Sequence, residues 1–256
     1  MSFRKKKPGV TFQIYFQDRW TPIDRFLEDP EPIWTAWLSD DEDNYDGESE
    51  GFFVTADGAA WNGSETVDTC LTAFSWIEAL SELLVGQSPK EPVQVWAWEE
   101  SNMRIWRKGS LLYMEDKPYL PRVCFDIQAF LEVFLPEAEK YYALLDRFRL
   151  YAEALRPSAE AMREALRAEA EQIPAIPSGV LYDQKVRAER PGSDAAEKEK
   201  YQAMREQHRK REQLMYRSEA ALRLLDEEIL DRTFPVDSLR ALQNYHRGET
   251  AKGGEA

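Results

Sequence analysis

The sequence has few of the residues on which most recognisable catalytic and metal sites depend. Its 256 residues include two cysteines, Cys70 and Cys124, and two histidines, His208 and His246. Two thiols do not make a disulfide scaffold, so we expect both to be small buried residues. Both histidines lie in a predicted helical half that has no cysteine, which argues against a catalytic thiol and a typical zinc site.

The sequence also lacks the short motifs that place a reactive group or a phosphate. It contains no GxxxxGK[ST], GxGxxG, HExxH, CxxC or GxSxG pattern. Each of these patterns supplies a geometry that its chemistry requires, such as backbone amides around a phosphate. We therefore predict a protein that is not an enzyme and that binds no cofactor and no resident metal.

Long apolar runs are absent as well. No stretch approaches the ~18 apolar residues of a membrane span, and residues 10–16 alternate where a signal peptide would have its apolar core. We expect a soluble, cytoplasmic protein with no membrane partner. The aromatic fraction is 12%, with eight tryptophans and eleven tyrosines. A disordered chain has few such rings, so they predict a folded core and leave some for a binding surface.

Basic residues are missing from one long stretch. Residues 26–89 contain no lysine or arginine but hold 15 acidic side chains, and residues 1–143 carry 13 basic and 26 acidic side chains. The front of the chain thus accounts for almost all of the net charge of −14. Such a field repels nucleic acid and attracts basic proteins, although acidity for solubility alone is the alternative. The densest part comprises Asp40, Asp41, Glu42, Asp43, Asp46, Glu48 and Glu50.

Alternating apolar and polar residues predict strands in the first half of the chain. Asp57-Gly58 is a hairpin signal before residues 59–61, and residues 103–108 and 111–116 flank Gly109-Ser110, which is also typical of a tight hairpin. We predict an α+β fold, with an antiparallel sheet and one packed helix in a domain of residues 1–125, followed by an all-helical C-terminal half. The further elements are strands at 10–16, 33–38, 51–56, 59–61, 92–98 and 122–125 and a helix within 64–86.

From Asp126 onward the apolar residues follow a helical period, which predicts a helical region over 126–256. We expect Pro136 and Pro157 to end or kink successive helices, because proline has no N–H to donate. Further on we predict a loop at 174–193, a long helix at 194–231, a short helix at 236–245 and a disordered tail at 247–256.

The long predicted helix has a continuous apolar stripe only from Met215 onward. Its earlier part is almost entirely charged, so we expect that part to project into water or to meet a polar partner. A basic cluster there is interrupted by glutamates and has no interleaved aromatic residues. A solvated helix face is therefore preferred over nucleic-acid binding. The cluster comprises Arg205, Arg209, Lys210 and Arg211.

Two short segments carry the candidate binding residues. Trp96 and Trp98 share one face of a predicted strand that ends at Glu99 and Glu100, and Trp106 lies on the next hairpin. Tryptophan is favoured at protein interfaces, although packing in the core under the predicted helix is the preferred explanation of these rings. Adjacent carboxylates on a strand point to opposite faces, so Glu99 and Glu100 do not form a general acid–base pair.

The acidic run also has a loose likeness to a calcium-binding loop. Asp41, Asp43, Asn44 and Asp46 place oxygens at short intervals, but Gly47 stands one place late and the flanking segments are predicted strands. An EF-hand needs a glycine at the sixth position, a glutamate at the twelfth and flanking helices. We therefore predict a surface loop that contacts a partner and no resident metal.

These features favour a non-catalytic protein-binding function. The immunity or antitoxin type fits best: an acidic bacterial cytoplasmic protein that neutralises a basic toxin or enzyme by occluding its active site. The alternative is a cytosolic chaperone or adaptor for a secreted effector, or a structural subunit of a larger complex, with the long helix as its interface. A carboxylate-dependent metalloenzyme is a third hypothesis, supported only by the abundance of Asp and Glu.

Overall fold

The chain divides into two compact units, which are Met1–Arg149 with Leu230–Ala256, and Leu150–Ile229. The computed structural model describes residues 4–39, 49–61, 69–86, 92–95, 103–117 and 120–249. The division predicted at residues 125–126 does not coincide with these units. The helical residues that follow the last strand, and those at the C-terminus, group with the strands.

Unit 1 contains all the described strands, and they form two four-stranded antiparallel sheets. The order is β2-β1-β3-β4 in the first sheet and β5-β6-β7-β8 in the second. The predicted α+β class is confirmed, with the strands divided between two sheets. The strands are β1 Pro8–Phe16, β2 Arg19–Pro22, β3 Glu50–Ala56, β4 Ala59–Ala60, β5 Val93–Gln94, β6 Met103–Lys108, β7 Leu111–Asp116 and β8 Leu120–Asp126.

Two of the hairpins are formed by the turns that the sequence predicts. Asp57 and Gly58 between β3 and β4 have φ of 57° and 82°, and Gly109 between β6 and β7 has φ of 60°. Positive φ at both central residues is typical of the type I′ turn, and a glycine with positive φ at the first position alone is typical of type II′; both match the twist of paired strands. The hairpin of β1 and β2 uses Gln17 and Asp18 at φ of 50° and 59°, without a glycine.

The segment predicted as a strand at 33–38 is a helix. Pro32 lies in its first turn, where the missing N–H costs nothing, and Ile33, Trp34 and Trp37 are buried along one side. In chain order the helices are α1 Ile23–Glu28, α2 Glu31–Trp37, α3 Thr69–Leu84, α4 Ile127–Glu171, α5 Ser178–Glu189, α6 Ala195–Asp231 and α7 Val236–His246. Across the described ranges, none of these helices has the length and apolarity needed to cross a membrane.

Helix α4 runs through both prolines that we expected to break it. A proline inside a helix removes one hydrogen bond, and packing on both sides outweighs that loss here. Around Pro136, Leu135 and Ala138 are buried, while Ala152 and Ala159 are buried on either side of Pro157. The prediction that Pro136 or Pro157 ends a helix is wrong.

The predicted loop at 174–193 is also wrong, because it contains α5. Pro177 is the N-cap of this helix, and Pro191-Gly192 follow its end, so the helix-breaking residues flank the element. Gln184 and Ala188 are its buried residues. The predicted long helix is confirmed as α6. Residues 247–249 of the predicted disordered tail follow α7 as a turn, and residues 250–256 lie outside the described residues.

Aromatic rings form the centre of unit 1. Phe12 of β1 stacks on Tyr141 of α4 at a centroid distance of 4.1 Å, and Phe52 of β3 lies 4.6 Å from Phe134. Strand β2 is short and pairs only with residues 13–16 of β1. Beyond it, the Phe12 N–H donates to the carboxylate of Glu137 at 2.7 Å. Helix α4 therefore covers the inner face of the first sheet and also satisfies its open edge.

Unit 2 consists of the second part of α4, α5 and most of α6. Cross-helix ion pairs join Arg156 to Asp226 at 2.6 Å and Lys210 to Glu169 at 3.9 Å, and the two long helices are therefore antiparallel. The buried positions on α6 begin at Leu214, which agrees with an apolar stripe starting around Met215. They are Leu214, Ser218, Leu222 and Leu225.

Candidate protein-binding site

The outer face of the first sheet carries three aromatic rings in mutual contact. Trp20 of β2 lies edge-on to Tyr15 of β1 at 5.6 Å and to Phe53 of β3 at 4.8 Å. The strand pairing produces this cluster, because Tyr15 lies opposite Trp20, and Thr11 opposite Phe53. Alternation along the strands turns these side chains away from the core.

All three rings are partly exposed, and the side chains that share their face are uncharged. We call this set the aromatic face; it comprises Thr11, Gln13, Tyr15, Trp20, Phe53 and Thr55. The opposite side of the same strands is buried. Partly exposed, contiguous aromatic surface without charge is typical of the centre of a protein interface, where charged residues are depleted.

The residue that follows the acidic run contacts the strand that carries Tyr15. The Tyr15 N–H donates to the carbonyl of Ser49 at 2.7 Å, and Ser49 directly follows residues 40–48. Six of the predicted binding residues, Asp40, Asp41, Glu42, Asp43, Asp46 and Glu48, lie outside the described residues. Trp96, Trp98, Glu99 and Glu100 lie outside them as well, so their predicted roles stay predictions.

Glu50 does not belong to an exposed acidic surface. It lies opposite Ile14 on the inner side of the first sheet, and its side chain has no exposed area. Its carboxylate accepts a hydrogen bond from the guanidinium of Arg232 at 2.9 Å. The prediction of a partner-binding role for Glu50 is therefore withdrawn, because strand alternation directs this acid inward.

Arg232 contacts the residues on both sides of the acidic run. Its guanidinium lies 4.0 Å from the ring centroid of Trp37, shortly before the run, and pairs with Glu50 shortly after it. Only 9% of the Arg232 side chain is exposed. An ion pair with this little solvent is poorly screened, and the cation–π contact adds to its attraction. Arg232 thus links a residue shortly before the acidic run to a residue shortly after it.

Trp106 lies on the outer face of the second sheet and is partly exposed. Its ring stacks on that of Tyr113 at 5.5 Å with an interplanar angle of 10°, and the Arg122 guanidinium lies over it at 5.0 Å. Its predicted packing beside Trp96 and Trp98 involves residues that the structure does not describe. Cys124, across from Tyr113, is buried as predicted.

Glu115 lies at the centre of this second face and gathers three cations. Arg104 donates to it at 2.7 Å and Arg122 at 2.9 Å, while the Lys117 ammonium lies 3.9 Å away. Burial by itself raises the pKa of Glu115. The hydrogen bond and charge of Arg122, with the charges of Lys117 and Arg104, outweigh burial, and the pKa lies below its usual value.

Glu115→Gln is expected to flatten the acid limb of the stability–pH profile. A carboxylate whose pKa is lowered in the folded protein stabilises it above the pKa of the unfolded chain, near 4.3, and this stabilisation is lost as pH falls through the folded value. The variant should be less stable by about 1–3 kcal/mol at neutral pH, and by less at low pH. Urea unfolding across this pH range measures it, and parallel curves for the two proteins would contradict it.

No family model, no curated protein and no solved structure matches the chain. Among the described residues, no group of three or more His, Cys, Asp and Glu side chains has an arrangement that could hold a metal ion. The loop at Asp41–Asp46 lies outside that part, so the calcium hypothesis stays untested.

Sequence reasoning missed the aromatic face, although it found the strands that carry two of its rings. Tyr15 and Phe53 lie within predicted strands, on the face of the strand that is away from the buried Phe12 and Phe52. The signal was available, because an aromatic residue on the polar side of an alternating strand is unusual. Trp20 was missed because β2 itself was not predicted.

Proposed function

We propose that this chain is a non-catalytic protein-binding protein of the immunity or antitoxin type, which neutralises a basic protein in the cytoplasm by covering its active site. The observation that carries this proposal is the aromatic face, an uncharged, partly exposed cluster of Tyr15, Trp20 and Phe53 that adjoins the start of β3. In the sequence, residues 40–48 of the acidic run directly precede Ser49, whose carbonyl accepts a hydrogen bond from the Tyr15 N–H.

The two features supply different parts of binding. Aromatic anchors at the centre of an interface contribute most of the affinity, because they lose much apolar surface to water at little cost in side-chain entropy. Acidic residues around them speed association with a basic surface and reject other partners. The acidic charge of residues 1–143 is thus suited to steering, and the rings to anchoring.

Occlusion requires no chemistry from this chain. Many enzymes that act on nucleic acids carry basic clefts, because phosphates are bound by Lys and Arg. A rigid acidic protein that fits such a cleft blocks it, and a preorganised surface keeps the ordering cost low. The β1–β3 register and the Arg232 contacts hold the aromatic face and the ends of the acidic run in place.

Site-directed photocrosslinking in the native host tests the proposal. A photoreactive phenylalanine analogue at Thr11 is expected to form one dominant adduct with a basic protein. The same analogue at Asp237, a residue on α7 that is 93% exposed, is the matched control and should give no such adduct. The purified pair should associate more slowly as salt rises.

Two results would remove this assignment. An adduct of equal yield at both positions would show that the aromatic face is not the interface. A dominant partner that is acidic, or one whose activity is unaffected by stoichiometric binding, would contradict neutralisation of a basic protein even though the face itself binds.

The adaptor or subunit hypothesis has its own supporting observation. Unit 2 exposes large apolar side chains on each of its three helical segments, including Met162 at 56%, Tyr182 at 65% and Tyr216 at 56%. Tyr182 and Val186 stand one turn apart on α5, on the side away from the buried Gln184 and Ala188. If the photoreactive analogue gives a dominant adduct when placed at Tyr182 and none when placed at Thr11, the adaptor hypothesis replaces the immunity-type proposal.

A further inference from the structure

The outer face of the second sheet has a charge opposite to that of the chain as a whole. Strand register places Arg104, Glu115 and Arg122 on this face, and Lys117 directly follows the strand that carries Glu115, within a front part of the chain that is strongly acidic. Glu115 is only 4% exposed and lies inward of the cations that surround it. The surface that solvent meets here is therefore positive.

We propose that this cationic face, defined by Arg104, Trp106, Tyr113, Lys117 and Arg122, is a second interaction surface and binds an acidic segment of a partner protein. The proposal goes beyond the neutralisation of a basic protein, because it concerns another sheet and a partner of opposite charge. The two surfaces are tested independently.

Charge complementarity identifies the occupant. The side chains of Arg104, Arg122 and Lys117 are 42%, 36% and 66% exposed, so each retains solvent-facing donors while also contacting Glu115. The buried carboxylate holds both guanidinium groups in fixed orientations, which lowers the entropy lost when they meet a ligand. Guanidinium forks match the geometry of carboxylates, and further negative charge is what a group of three cations around one anion attracts.

The aromatic residues favour a peptide over a nucleic acid. The Trp106 ring already stacks on Tyr113 and contacts the Arg122 guanidinium, so these contacts stabilise the face itself and leave the ring less available to stack with a base. Proteins that bind single-stranded nucleic acid instead present rings on which bases stack. The cationic face also lies on a chain of net charge −14, and that field opposes a polyanion more strongly than a short acidic segment.

Fluorescence anisotropy with the full-length chain tests this proposal. The probe is a labelled peptide of about ten residues that alternates glutamate and serine, and the matched probe replaces each glutamate by glutamine. The glutamate peptide should bind at least about tenfold more tightly at low salt, with an affinity that falls as salt rises.

Variants locate the binding to the cationic face. Lys117→Gln, an exposed position that folding tolerates, and Arg122→Gln should each weaken the glutamate peptide, the arginine change by about tenfold. Arg122→Lys keeps the charge but loses the planar fork, so its loss should be intermediate. The matched control is Arg240→Gln on α7, an equal charge change at an exposed position in the same unit, which should leave binding unchanged.

Three outcomes would overturn the proposal. Equal weakening by Arg240→Gln and Lys117→Gln would show that the attraction is diffuse. Tighter binding of a single-stranded oligonucleotide of the same charge would assign the face to nucleic acid. Self-association in sedimentation experiments that Arg122→Gln abolishes would make the occupant a second copy of this chain. Thermal unfolding of each variant separates a binding loss from misfolding, and Lys117→Gln keeps the test valid if Arg122→Gln does not fold.

Discussion

Arg232→Ala is expected to lower the free energy of unfolding by about 3–5 kcal/mol, because removing one partner of a buried ion pair leaves a desolvated charge behind. The carboxylate of Glu50 has no exposed area and loses its guanidinium, and Trp37 loses its cation–π contact. Urea denaturation followed by tryptophan fluorescence measures the change. In the surviving folded protein the two ends of the acidic run are no longer joined through one side chain.

The double variant Arg232→Met with Glu50→Leu separates the charge effect from packing. Replacing both partners by apolar residues of similar volume is often nearly neutral, so the double variant should recover most of the stability that Arg232→Ala loses. Arg240→Ala, which breaks an exposed pair with Asp237 on α7, is the control and should change stability little. A double variant as unstable as the single one would mean that the position demands its shape and not its charge balance.

Turn chemistry decided which hairpins were predictable from the sequence. The sequences Asp57-Gly58 and Gly109-Ser110 predicted their turns, because glycine adopts positive φ without a Cβ clash. Gln17 and Asp18 adopt similar angles without that signal. They form the turn between the paired strands β1 and β2. Because β2 was not predicted, Trp20 was not identified as a surface residue of a sheet, and the predicted binding site did not include it.

Helices were misjudged where a local rule competes with packing. Residues 33–38 have the composition of a strand, but Pro32 in the first turn and the helical spacing of Ile33, Trp34 and Trp37 favour α2. Pro136 lowers the local stability of α4, yet the buried residues around it pack on the sheets and outweigh one lost hydrogen bond. Local helix and strand propensities do not include the free energy of tertiary packing, so they could not predict either outcome.

The distribution of charge along the sequence showed which segment is acidic, but it did not show which of its side chains are on the surface. It assigned Glu50 to the same surface as its neighbours, although the strand begins at that residue and turns it inward against Arg232. It also did not identify a positive face within the front half. The strand pairing of β6, β7 and β8 brings Arg104, Glu115 and Arg122 together, and a local positive face results from residues that are separated along the chain.

Trp20→Ala is expected to weaken binding of the basic partner by at least about 2 kcal/mol, or roughly 30-fold, mainly through faster dissociation. Trp20 contacts both other rings of the aromatic face, so its loss removes the centre of the proposed interface. The fold should survive, because the ring is partly exposed and the buried side of the first sheet is untouched. Surface plasmon resonance with the crosslinked partner, once purified, measures both rate constants.

Trp106→Ala is the matched control for this prediction. It removes a tryptophan that is also partly exposed, from the other sheet, and it should leave the basic partner's affinity unchanged. Neutralising the acidic run by changing Asp40, Asp41 and Asp43 to Asn should act differently again, lowering the association rate and its salt dependence while dissociation stays the same. If Trp106→Ala costs as much as Trp20→Ala, the partner spans both sheets or the effect is on folding. If the Asn variant changes only dissociation, the acidic run anchors the partner and does not steer it.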